Sequence, residues 1–139
     1  MKPRILGSTC LFLAIALPSP ALSAAQPTFA SPWVGLWQAQ FEGQPSVILT
    51  LGDDNGQLGG AVVFNVVSRE GGQPRVIGHD AHAIMNPRID GDTLHFQVIR
   101  RGDNRQLDMT VRIAADGAAK LHCQNCGNDA PVVDIVRER

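Results

Sequence analysis

From Trp33 onward the chain is written in period two, with apolar side chains at alternate positions and clusters of Gly, Asn and Asp between the runs. A strand sends successive side chains to opposite faces, whereas a helix repeats its apolar positions three and four apart. The spacing therefore predicts half-buried strands and leaves no segment with a helical pattern. Trp33, Gly35, Trp37, Ala39 and Phe41 fall on one face of a first strand, and Val47, Leu49 and Leu51 on one face of a second. Asp53-Asp54-Asn55-Gly56 supplies residues that tolerate a positive φ in a hairpin turn. A third strand runs from Leu58 to about Val67, with Gly60, Val62, Phe64 and Val66 on one face. After a polar, Gly-rich loop from Ser68 to Pro74, a fourth strand spans Arg75 to about Met85, where Asn86-Pro87 breaks it.

Asp90-Gly91 signals a further hairpin into Leu94–Arg100, and Gly102-Asp103-Asn104 turns the chain into Leu107–Ile113. Ala115-Asp116-Gly117 turns again into Ala119–Cys123, and Pro131–Arg137 closes the chain. The fold class expected is all-β, an antiparallel up-and-down meander of about eight strands. A sheet of that size has two edges to protect, and closing it into a small barrel removes both. A two-sheet sandwich is the alternative, but it needs longer crossings than these short connections provide.

The first residues have a different character. Met1-Lys2-Pro3-Arg4 is a basic start, Cys10–Leu17 is an apolar run, and Pro18–Ala25 is rich in small residues. That is the order of a secretory signal, and the apolar run is too short to span a bilayer. The chain of 139 residues thus divides into a signal peptide over 1–24, a Pro-rich lead-in over 25–32 and one barrel domain over 33–139, placed in the periplasm or secreted. Losing Lys2 and Arg4 moves the formal charge from −1 to −3, which removes the footprint of a general nucleic-acid binder. Lys120 is the only lysine left and tyrosine is absent, which narrows Schiff-base and phenol chemistry.

Gly35-Leu36-Trp37 in the first strand matches the Gly-x-Trp signature of lipocalins and their calycin relatives. The chain resembles a small bacterial lipocalin-like β-barrel domain. The resemblance implies that Trp37 closes one barrel end beneath an arginine of the last strand, a part open to Arg137 or Arg139. Gly35, Trp37 and Arg137 are then the structural set, with a cation–π attraction of about 0.5–2 kcal/mol. The chain is short for a lipocalin and shows no C-terminal helix, so a reduced barrel is implied.

Inside such a barrel, Val47 and Val111 would join Trp37, Phe41, Leu49, Phe64, Phe96 and Met109, and these residues either fill the interior or line a small cavity. The last six are the candidate ligand-binding residues, and an apolar lining suits an acyl chain, a terpenoid or a similar compound. The Ser68–Pro74 loop is the expected portal.

Cys123-Gln-Asn-Cys126 holds the only two cysteines left after cleavage. In an oxidising compartment a lone close pair is most simply a disulfide. His122-Cys123-x-x-Cys126-Gly127 also resembles one knuckle of a zinc ribbon, which would need a fourth ligand from elsewhere. A redox pair would need a helix N-terminus, and none is expected. His79 and His82 stand three apart, so on a strand they face opposite sides, and the segment reads as polar and solvent-facing. His95 reads as an outside residue. Ser31, Ser46 and Ser68 lie in no nucleophile elbow, and Asp90 and Asp92 read as turn residues. Arg100, Arg101 and Arg105 make a basic corner around one turn.

The function expected is a non-enzymatic, exported binding protein that holds a small hydrophobic ligand, with no cofactor, no membrane span and no nucleic-acid partner. Two alternatives stay open: a packed-core interaction domain for a protein or envelope component, and a metal-binding protein using His122, Cys123 and Cys126.

Overall fold

The computed structural model describes residues 31–115 and 117–139, so the expected signal peptide lies outside the described residues, as does Asp116. Nine strands follow one another: β1 (Gly35–Phe41), β2 (Gln44–Asp54), β3 (Gln57–Ser68), β4 (Arg75–Ala83), β5 (Met85–Asp90), β6 (Thr93–Ile99), β7 (Gln106–Ala115), β8 (Ala118–Cys123) and β9 (Val133–Arg137). All belong to one antiparallel sheet in the order β4-β3-β2-β1-β9-β8-β7-β6-β5, strongly curled into a half-barrel. There is no helix among the described residues.

The sheet order shows how the curl is held. The first and last strands pair, with Trp37 opposite Arg137 and Gln38 opposite Val136, so the termini of the meander are joined by a ladder. The two edges are β4 and β5, which are consecutive in the chain and separated only by Ile84. The expected fourth strand is thus two: its first part pairs with β3 and its second with β6. Asn86-Pro87 does not end it. Asn86 takes a positive φ of 49° and the register jumps between Met85 and Arg88, a bulge that absorbs the extra residue. Pro87 lies on an edge strand, where no partner needs its missing N–H.

Turn chemistry fixes the hairpins. Asn55-Gly56 (φ 53° and 84°) and Glu42-Gly43 (φ 54° and 76°) have two positive φ values each, as a type I′ turn requires. Inward residues then stack in layers. Trp37, Leu49 and Val62 lie opposite one another across β1, β2 and β3, and Leu94, Val111 and Leu121 across β6, β7 and β8. All six are buried and form the centre of the core. Up-and-down order puts the Asn55-Gly56, Gly91-Asp92 and Gly117 turns at one end, here the base. The Glu42-Gly43 turn and the loops 69–74, 100–105 and 124–132 gather at the other, the mouth.

Candidate functional site

The base is closed by side chains. Trp37 is 1% exposed, and its indole N–H donates to the carbonyl of Trp33 at 3.0 Å, which keeps the polar end of a buried ring satisfied. Arg137 crosses from β9 over Gly35 and donates to the Val34 carbonyl. Gly35 has a φ of 141°, which favours glycine, and a Cβ there would stand 2.9 Å from Arg137 Nε, so a larger residue would also displace the Arg137 side chain. Arg139 is exposed and lies outside this contact.

The mouth contains a cavity of about 640 Å³. Its walls are Val47 of β2, Phe64 of β3, Leu107 and Met109 of β7, Leu121 of β8 and Val133 of β9. His122, Cys123, Cys126 and residues 127–131 of the β8–β9 loop form the rest of the lining. A second cavity of about 600 Å³ adjoins it, sharing Val47, Phe64 and Val133 and adding Phe41, Gln40, Ser46, Asn65 and Asp134. Residues from strands far apart in sequence meet here because the curled sheet brings β2 and β3 to face β7 and β8.

The sequence-predicted ligand residues divide into three groups. Phe64 and Met109 line the main cavity. Trp37, Leu49 and Phe96 are at most 2% exposed and line neither mouth cavity, being packed in the core below. Phe41 is 53% exposed and does not lie in the interior, because it ends β1 at the Glu42-Gly43 turn and its ring stands on the rim. Val66, also expected on the inner face, is exposed beside a bulge at Val66/Val67. The portal differs as well: no residue of 68–74 lines the main cavity, and the 126–131 segment does.

Cys123 and Cys126 form a disulfide with Cα atoms 5.5 Å apart. Cys123 is buried at the end of β8 and Cys126 is exposed, so the bond pins the loop to the cavity wall. Asn125 reinforces it, accepting from the backbone N–H of Asp108 at 2.9 Å and donating to the Asp108 carboxylate at 3.0 Å. With both sulfurs bonded to each other, no thiolate is left for a metal knuckle, and no group of three His, Cys, Asp or Glu among the described residues is placed to hold an ion. His122 Nδ1 instead lies 2.9 Å from the Gln124 amide.

The polar segment of β4 does not face solvent throughout. His79 is exposed, but His82 is only 8% exposed and shares the inner face with Asp80. Its Nδ1 lies 2.8 Å from the Ile99 carbonyl of β6, and its Nε2 lies 2.8 Å from the Asp80 carboxylate. A carbonyl only accepts, so Nδ1 carries a proton. The ring packs at 5.9 Å from that of Phe64. His82 thus ties the β4 edge to β6 where no ladder joins them, helped by Arg101, which reaches Asp80 at 3.5 Å. The spacing of Asp80 and His82, two apart on a strand, is the signal that was available in the sequence.

The basic corner is occupied by its own neighbours. Arg100 pairs with Asp103, whose carboxyl it holds well below the usual range, and Arg105 donates to the Asn125 carbonyl. At the base, a hydrogen bond from Thr93, followed by Arg112, lowers the Asp92 carboxyl. Both acids stabilise turns. No family model, no curated protein and no solved structure matches this chain. No helix among the described residues is long and apolar enough to cross a membrane.

Proposed function

We propose that this chain is an exported, non-enzymatic binding protein that holds a small apolar or amphipathic molecule at the mouth of the half-barrel. One observation carries the reading: a cavity of about 640 Å³ walled by Val47, Phe64, Leu107, Met109, Leu121 and Val133. Ligand sites have volumes of roughly 300–1,000 Å³, lined mainly by apolar side chains with a few polar groups. Export is supported by the disulfide, which persists in oxidising compartments. The contact of Arg137 with Gly35, beside the buried Trp37 that Arg137 pairs with across β1 and β9, supports a lipocalin-like, calycin-type relationship, in which one barrel end is sealed and the other receives the ligand.

The reading is tested by purifying the exported protein without detergent, extracting it with organic solvent and identifying what is released by mass spectrometry. A single apolar compound class in stoichiometric amount is expected. A protein that releases nothing and fails to take up any apolar probe would contradict it. That result would favour the interaction-domain reading, for which the exposed Val66, Ile77 and Val132 offer apolar surface.

A further inference from the structure

The charge around the two mouth cavities limits the ligand further. Neither is lined by a lysine or an arginine, and their ionisable lining groups are His122, Asp129 and Asp134. The arginines at this end are committed elsewhere: Arg69 to Glu42, Arg100 to Asp103, Arg101 to Asp80 and Arg105 to the Asn125 carbonyl. Arg75 lines neither cavity. Asp134 is neutralised by Lys120 at 2.7 Å, whereas Asp129 makes no hydrogen bond or ion pair among the described residues and stands on the rim of the main cavity. The smaller cavity adds uncharged polar groups, Gln40, Ser46 and Asn65; Asn65 spends its amide N–H on the Pro45 carbonyl at 2.8 Å, which leaves its oxygen to accept.

We infer that the mouth selects an amphiphile whose polar head carries no negative charge, an alcohol or an amine, and discriminates against fatty acids. The inference rests on the binding reading above. A carboxylate entering this site would be desolvated with no lysine or arginine to pair with and would approach Asp129, so both the burial cost and the Coulomb interaction oppose it. A hydroxyl meets neither penalty, and it can donate to Asn65 Oδ1. An ammonium head gains from Asp129. Specificity of this kind comes from a repulsive element as much as from an attractive one.

The test is displacement of the neutral fluorophore N-phenyl-1-naphthylamine from the exported protein by dodecanol, dodecylamine and dodecanoate, each below its micelle concentration at neutral pH. Dodecanol and dodecylamine are expected to displace it with apparent affinities at least roughly tenfold tighter than dodecanoate. In Asp129→Arg, a change on an exposed loop residue, dodecanoate should gain and dodecylamine should lose, reversing their order. If dodecanoate competes as well as dodecanol, or if Asp129→Arg leaves the order unchanged, the head-group inference is overturned while the binding reading stands. If the fluorophore itself does not bind, the binding reading falls and the inference falls with it.

Discussion

At Gly60 a Cβ would stand 1.9 Å from the carbonyl oxygen of Thr50, while at Gly59 it would meet nothing within 4 Å. Two adjacent glycines on one strand thus do different work: Gly60 lets β3 cross closely over β2, and Gly59 is a free position. Gly60→Ala should destabilise by about 1–3 kcal/mol, because backbone must move, whereas Gly59→Ala should stay within about 0.5 kcal/mol in urea unfolding. Trp37→Ala should cost about 3–5 kcal/mol, since it empties the buried base and orphans the Trp33 carbonyl. Asp103 gives a pH test. Its carboxyl is held below the ordinary value of 3.8 by Arg100 and by the Arg105 backbone N–H. A depressed folded pKa contributes stability above the unfolded value and loses it as pH falls through the folded one. The 100–105 turn should therefore stay intact at pH 4 and loosen only well below it. Carboxyl-carbon NMR would show this as an Asp103 titration displaced below the ordinary aspartate range.

Among the elements, the β8–β9 loop connects stability to function, because the same disulfide that closes it also forms part of the cavity wall. Cys126→Ser is the cleaner probe, since Cys126 is exposed and the change adds no polar atom to the core. Closing so short a loop contributes about 2 kcal/mol by chain entropy, so Tm should fall on the order of 5 °C, and probe affinity should fall with it. An unchanged melting curve would contradict a staple at this site. The cysteine pairing was legible in the sequence because two cysteines three apart leave one simple partner choice. The hairpin at Asn55-Gly56 was legible because both residues meet the φ demand, and Asp90-Gly91 marked the next one, although the turn itself falls one residue later with Gly91 supplying its positive φ of 60°. Asn86-Pro87 was misleading: it carries the signal of a break, and only the edge position of β5 lets a proline stay in a strand. His82 was hidden for a related reason, since an inward polar pair on an unpaired edge interrupts the apolar alternation that marks a buried face.

For the whole molecule, the curl follows from one arrangement: the first and last strands pair at the base through Trp37 and Arg137, and the sheet's two edges meet where the chain itself continues from β4 to β5. Period-two patterning announced the meander and its inner face. It did not announce which end would stay open, because that depends on where the 124–132 loop lies, and Gly, Asn and Pro specify a turn without specifying what it covers. Phe41, by the same logic, was on the correct face but too far along it to be enclosed.

The most direct test is methyl NMR of the protein titrated with N-phenyl-1-naphthylamine. The methyls of Val47, Leu107, Met109, Leu121 and Val133 should shift together and saturate, while those of Val76 and Ile77, exposed on β4 and lining neither mouth cavity, stay in place. Shifts confined to exposed methyls, or none at all, would contradict a ligand cavity at the mouth of the half-barrel.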